Sequence, residues 1–443
     1  MTETARTNGL RWAEIIAVGS ELLVPPRVDT NSLFITGCLN QLGIEVRAKT
    51  VVGDRQDDVA AVLRAALDRV ELVVMCGGLG PTDDDLTRDA AAGLLGMTLV
   101  EDDLVLDRIR QRFASRGMRM PEVNRRQALV PVGAEVLPNP HGTAPGLWIE
   151  RDGRILILLP GPPGELEPMF TRMAAERLAP RAGGRKICRK VLKICGRAES
   201  EVEEMVVATY SRWTREPLPI ATTVLAAPAQ IELHLSVHAA TEAIGLARLD
   251  DAARQVAAIV GADVFSIDGR ALEQVVGDAL RQRGWRIAVA ESCTGGLISS
   301  RLTDVAGSSD YVLVNAVCYN NDAKTSWLGV PVELIDAHGA VSEEVALAMA
   351  DGIRERAGVE VGVGVTGIAG PTGGSERKPV GTVVIAAVTP SARIVRTFRF
   401  PGGRLRVKQF AAQTALDMVR RALDGAQIGG AFAARPAPES SGS

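Results

Sequence analysis

Two segments of this 443-residue chain carry side chains that could do chemistry. The first is GGLGPTDDDLT (77–87), directly after the apolar run LVVMC (72–76). Its glycines, Gly77, Gly78 and Gly80, let backbone N–H groups approach an anion, and a helix starting near Leu86 would add its positive end. Three successive carboxylates, Asp83, Asp84 and Asp85, would repel a bare phosphate but suit a divalent cation that bridges carboxylate and phosphate oxygens. The same aspartates also suit the plainer task of capping a helix, and the triplet alone leaves both roles open. The second segment is AESCTGGL (290–297), again between a strand-like run and a helix. A serine on such a turn is held exposed, and the amides of Thr294, Gly295 or Gly296 are placed to stabilise an oxyanion, which is what acyl transfer requires. The string is not GxSxG and no histidine lies nearby in sequence, so a Ser-His-Asp triad has little support. Taken singly, a glycine-rich turn is explained by backbone geometry and Cys293 by burial as a small hydrophobe.

The elements that would position these groups follow from periodicity. AEIIAV (13–18) reads as a buried strand, and Leu33, Phe34, Cys38, Leu39 and Leu42 then recur at helical spacing. A strand at 44–52, a helix with Val59, Val62, Leu63, Ala66 and Leu67 on one face, and the strand 72–76 come next. Strands alternating with helices predict a parallel sheet covered on both sides, with ligands outside the carboxyl ends of the strands. That places GSELL (19–23), DTNS (29–32), Asp54, NPHGTAPG (139–146) and LPGPPGE (159–165) with the acidic loop at one sheet edge. A small α+β module is expected over 183–268, with strands at 189–194 and 230–237 and helices between and after. An α/β unit is expected over 271–426, with strands at 286–290, 312–319, 359–365, 381–388 and 394–400 and helices at 343–356 and 405–423. The Gly/Pro segment 367–380 lacks a regular pattern and reads as a functional loop. The Gly-, Ala-, Pro- and Ser-rich tail 429–443 is expected to be disordered.

Composition narrows the partners. Fifty basic and 53 acidic residues leave a formal charge of −3, so nucleic acid is not an expected ligand. No apolar run approaches the roughly 20 residues that cross a bilayer, and the polar N-terminus lacks the apolar segment of a secretory signal, so neither membrane nor export is expected. Six cysteines are scattered without a CxxC, which suggests free thiols in a cytoplasmic protein. His234 and His238 sit four residues apart on a strand, about 13 Å, too far to share a zinc ion.

Taken together, GSELL, DTNS, GGLGPTDDDLT, NPHGTAPG, LPGPPGE, AESCTGGL, YNNDAK (319–324), VTGIAGPTGG (365–374) and KPVGT (378–382) resemble the motifs of the CinA family along nearly the whole chain. The resemblance implies a molybdopterin-binding-like parallel-sheet domain over 12–178, a KH-like middle module over 183–268, and a C-terminal α/β deamidase domain over 271–426. For the first domain it implies metal-dependent pyrophosphatase action on ADP-ribose or NAD-like dinucleotides. Asp84, Asp85 and Asp54 then fall on positions for Mg2+ or a transition metal, and Glu21, Asn31, Thr82, Asn139 and Thr143 on the substrate pocket. For the last domain it implies a serine amidohydrolase that turns nicotinamide mononucleotide into nicotinic acid mononucleotide and ammonia, with no cofactor expected. Ser292 matches the nucleophile and Lys324 the base, with Tyr319, Thr294, Thr366 and Arg404 in supporting positions. A homodimer is also implied. Three departures stand out: Val24-Pro25-Pro26 where the family usually has a glycine, Asn320 where serine is common, and Gly403 where an acid often precedes the arginine.

A lysine can act as base only if its pKa falls from about 10.4 by roughly 2–3 units, through burial or a nearby cation. Arg404 and Lys378 are the expected cations, either of which would also suit a substrate phosphate. Two other readings compete: a pterin-binding protein, which the first domain's fold permits, and a non-catalytic interaction protein associated with competence. The deamidase-like half has no place in the former, and Ser292 and Lys324 would be dispensable in the latter.

Overall fold

A computed structural model describes residues 9–425, and the tail expected to be disordered lies outside the described residues. The chain forms two compact units, one of residues up to 188 with 238–245, the other of 189–237 with 246 onward.

The first unit is built on a six-stranded sheet in the order Glu45–Val52, Trp12–Val18, Leu72–Cys76, Arg154–Leu159, Gly146–Arg151, Glu135–Leu137. The first four strands run parallel, and alternate side chains feed opposite faces. Ile16, Val18, Val73 and Met75 pack against the helices Gln56–Arg69 and Thr87–Leu95. Ile15, Ala17, Leu72 and Val74 pack against Thr30–Gln41 and Pro163–Met173. Burial on both faces explains why these strands read as continuous apolar runs. The sheet is mixed rather than wholly parallel, because Gly146–Arg151 and Arg154–Leu159 form an antiparallel hairpin. The cause is the Asp152-Gly153 turn, with φ of 51° and 74°, the left-handed pair that a two-residue hairpin demands.

A four-stranded sheet has the order Ile220–Ala227, Gln230–Ala239, Lys186–Ile194, Val264–Ser266. The strand Ile220–Ala227 was not expected; its Ala/Thr-rich sequence lacks apolar alternation and pairs antiparallel with its neighbour across Pro228-Ala229. A five-stranded sheet follows in the order Val312–Val317, Ile287–Glu291, Val361–Gly367, Thr382–Val388, Arg393–Arg399. Its first three strands are parallel and its last two antiparallel. One face is covered by Leu272–Arg283 and Arg404–Asp424, the other by Glu343–Ala357. The long last helix is anchored by Arg421, only 1% exposed, which donates to Asp417 at 2.7 Å and Asp263 at 2.6 Å. No helix among the described residues is long and apolar enough to cross a membrane.

Helix Glu343–Ala357 can lie close to the sheet because Gly362 and Gly364 have no side chains. A Cβ on Gly364 would fall 2.2 Å from the Ala346 carbonyl oxygen. Gly364→Ala therefore forces helix and strand apart and is expected to cost about 1–3 kcal/mol, read as a lowered denaturant midpoint at unchanged slope.

Candidate active sites

In the first unit the loops at the carboxyl ends of the parallel strands enclose a cavity of ≈ 620 Å³. Gly77, Gly78, Gly80, Glu21, Asn31, Thr143, Asp54, Asp84 and Asp85 all line it. Thr82 and Asn139 do not. Thr82 gives its hydroxyl to Asp85 at 2.5 Å, while Asn139 bonds to Glu165 at 2.6 Å and to the Ala144 carbonyl at 2.8 Å. Asn139 thus braces its loop, facing a neighbouring depression of ≈ 270 Å³.

The acidic triplet does not cap the following helix, whose N-cap is Leu86 with no side-chain cap. Asp85 instead accepts from the amides of Gly80 at 2.7 Å and Thr82 at 2.9 Å, so both its oxygens hold the loop. Gly77, with φ 98°, lets this loop pass over the first strand, where a Cβ would lie 2.1 Å from the Val18 carbonyl. Asp84 is more open, and the Thr82 side chain beside it holds its carboxyl below the usual range. Asp54 accepts from the Ser20 amide at 2.7 Å, and its own amide donates to the Ser20 hydroxyl at 3.1 Å. Asn31 donates to the Gly161 carbonyl at 2.7 Å, leaving its Oδ1 shut from solvent without a donor.

The cavity lining holds six carboxylates, Glu21, Asp29, Asp54, Asp84, Asp85 and Glu165, against one cation, Arg27. Such a lining favours a bound cation. No three His, Cys, Asp or Glu side chains are gathered into a metal cage among the described residues. A carboxylate-rich lining of this kind suits a hard cation better than a soft one.

In the second unit Ser292 follows the strand Ile287–Glu291, and its amide donates to the Val365 carbonyl at 2.9 Å. The turn after it is organised by Glu291, a fully buried carboxylate that the sequence reading missed. Glu291 accepts from the amides of Gly296 at 3.0 Å, Ile298 at 3.2 Å and Ser299 at 2.8 Å, and from the Ser299 hydroxyl at 2.5 Å. A carboxylate just before a glycine turn that opens a helix was the available signal. Of the three expected oxyanion donors, Gly296 is committed to Glu291 and Gly295 to the Ser292 carbonyl at 3.1 Å. The Thr294 amide has no partner among the described residues. The Thr294 hydroxyl is fully buried and likewise unbonded.

Lys324 lies in the first turn of the helix Asn321–Leu328, only 2% exposed. Asn320 caps that helix by accepting from the Ala323 amide at 2.8 Å, so it does the work of a capping serine. The Lys324 ammonium reaches only two carbonyls, Asn320 at 3.3 Å and Tyr319 at 3.4 Å. No carboxylate pairs with it among the described residues, and burial pulls its pKa below the usual lysine value, opposed weakly by the thiols of Cys318 and Cys293. The Cys293 thiol is itself pushed up to about 12 by burial. Neither expected cation is a cause of the lysine shift. Arg404 donates to the Tyr319 hydroxyl at 2.5 Å and the Gly370 carbonyl at 2.9 Å, and Lys378 donates to the His338 carbonyl at 2.9 Å. Thr366 donates to the Ala340 carbonyl at 2.7 Å. Ser292 Oγ makes no hydrogen bond to Lys324 or any other described group.

The first unit thus joins an acidic strand-end cavity to a parallel sheet, and the second joins a strand-to-helix serine turn to a buried lysine. Residues 14–180 match the family described as "Probable molybdopterin binding domain", and residues 269–423 match "CinA C-terminal domain". A CinA-like protein of Koribacter versatilis is 46% identical over 93% of this chain and 99% of its own length. Another, from Solibacter usitatus, is 43% identical over 93% and 98%. The chain belongs to the CinA family. Among solved structures, the competence/damage inducible protein of Agrobacterium tumefaciens is 41% identical over 34% of this chain and 93% of that one, with a TM-score of 0.34.

Glu291→Gln would turn an amide N–H2 toward groups that are all donors. It is expected to lower the thermal midpoint by an amount equivalent to about 1–3 kcal/mol. A variant that melts with the wild type would show that this carboxylate does not hold the turn.

Proposed function

We propose that the chain is a bifunctional pyridine-nucleotide hydrolase, with a Ser/Lys amidase in the second unit and a metal-dependent pyrophosphatase in the first. The observation that carries the amidase reading is Lys324, a buried amine without an acid, its basicity lowered by burial. A lysine kept this way is neutral, and so able to accept a proton, at a lower pH than a solvated one. Neutral Lys324 takes the Ser292 proton as Oγ attacks the carboxamide carbon of nicotinamide mononucleotide. The Thr294 amide donates to the tetrahedral oxyanion, a contribution of roughly 10²–10³ in rate for such a donor. Protonated Lys324 then returns the proton to the amide nitrogen and ammonia leaves. Water, deprotonated by the same amine, cleaves the acyl-enzyme to nicotinic acid mononucleotide and frees Ser292. Hydrogen bonds of this kind tighten on substrate binding, so an unbonded Ser292 Oγ is compatible with the role.

In the first unit the cavity would hold ADP-ribose or a related dinucleotide, its phosphates against the amides of Gly78 and Leu79, since those of Gly77 and Gly80 are taken by Leu159 and Asp85, with Asn31 and Thr143 on the sugar or base. A divalent ion on Asp84 and Asp54 would neutralise phosphate charge and polarise the bond to be cleaved.

Ser292→Ala and Lys324→Met are each expected to abolish ammonia release from nicotinamide mononucleotide. Because burial penalises the charged amine, Lys324→Met is expected to raise the thermal midpoint at neutral pH, an advantage that shrinks as pH rises toward the ordinary lysine value and is gone above it. Ammonia release at wild-type rate from either variant would remove the dyad. Wild-type kcat/KM should rise with pH through one ionisation below the ordinary lysine value, since only the neutral amine accepts a proton; a profile flat across that range would count against Lys324 as base.

Asp84→Asn is expected to abolish metal-dependent release of AMP from ADP-ribose while leaving ammonia release intact. A wild-type cavity that binds a pterin tightly and cleaves no dinucleotide would favour the pterin-binding reading instead.

A further inference from the structure

Arg404 and Lys408 stand four residues apart on the helix Arg404–Asp424 and so share a face. Arg404 is engaged with Tyr319 and Gly370. Lys408, half-buried, makes no hydrogen bond or ion pair with any described residue. It is nevertheless held against the nucleophile turn. A Cβ added to Gly295 would lie 3.3 Å from Lys408 Nζ and 3.9 Å from its Cε, and the Gly295 amide bonds to the Ser292 carbonyl. The nearest acid of that turn, Glu291, is buried and already occupied by the amides of Gly296, Ile298 and Ser299. Arg406, between the two cations in sequence, turns away onto the Phe410 ring at 5.3 Å. An ammonium against the turn that carries Ser292, with no protein anion to satisfy it, is a point charge available to an anionic group of the substrate.

We propose that Lys408 binds the phosphate of the mononucleotide and thereby sets the preference for a 5′-phosphorylated nucleoside over the bare nucleoside. This assignment rests on the amidase reading. Lys408 takes no part in the proton transfers; it fixes the distance between the phosphate and the carboxamide offered to Ser292. Its close approach depends on Gly295, whose φ of 61° and missing side chain leave room for the ammonium.

The test compares nicotinamide mononucleotide with nicotinamide riboside as substrates of the full-length protein. Lys408→Met is expected to raise KM for the mononucleotide about tenfold with kcat held within about twofold, and to leave riboside kinetics unmoved. Lys408→Arg should restore most of the loss. Inorganic phosphate should inhibit the wild type competitively and the Met variant more weakly. An equal rise in KM for both substrates would reduce Lys408 to a structural role and overturn the proposal, as would an unchanged KM for the mononucleotide. If the wild type releases no ammonia from either compound, the amidase reading fails separately. Calorimetric binding of nicotinic acid mononucleotide then decides for Lys408: weakened binding in the Met variant supports it, and equal binding refutes it.

Discussion

A carboxylate that shapes the loop following a central strand is the constraint on which both sites depend. Glu291 ends its strand fully buried and gathers three amides and a hydroxyl, so the turn carrying Ser292 and the start of the next helix close on one group. Asp85 does the same in the first unit, holding the amides of Gly80 and Thr82 and the Thr82 hydroxyl. Backbone N–H groups at a helix start need acceptors, and a buried carboxylate met by several donors replaces the water it has lost. The position of each loop is therefore set by a short-range, charge-assisted network. The groups left over are the ones free for chemistry.

Those leftover groups have a common character. Asn31 Oδ1 in the first unit and the Thr294 hydroxyl in the second are buried and unbonded, where most buried polar atoms find partners. Lys324 has no acid and Lys408 has no anion among the described residues. Buried unbonded atoms also occur away from the sites, at Asn40, Thr222 and Asn315, so the absence of a partner by itself does not mark a site; what singles out Thr294 and Asn31 is their place on the Ser292 turn and in the acidic cavity.

Much of the architecture was legible because strands buried on both faces advertise themselves as apolar runs, and LVVMC and RILILL became parallel neighbours in register. The hairpin that ends the parallel run has a sequence signal too, Asp152-Gly153, which a reading based on alternating strands and helices passes over. Ile220–Ala227 was not legible, because alanine and threonine on an edge strand leave no period-2 contrast. At the sites, Ser292 and the acidic triplet lie in the strand-end loops that residue types pointed to, while Lys324 lies on a helix. What residue types do not encode is which polar group is already spent. Gly295 and Gly296 look like oxyanion donors until their amides are found bonded to Ser292 and Glu291, and Lys378 looks like a phosphate ligand until it is found on the His338 carbonyl.

The same bookkeeping explains how the lysine is tuned. A neighbouring cation would depress its pKa by repulsion, but would also compete for the substrate's anion and lose force as salt screens it. Burial acts on the charged form alone, wherever salt is excluded, and its cost falls on folding rather than on binding. Arg404 is then released from any electrostatic duty toward the amine and can clamp Tyr319 to Gly370, ordering the exposed rim of the site. The cations differ in depth: Lys324 is buried and its basicity lowered, whereas Arg404 lies at the exposed rim, bonded to Tyr319 and Gly370.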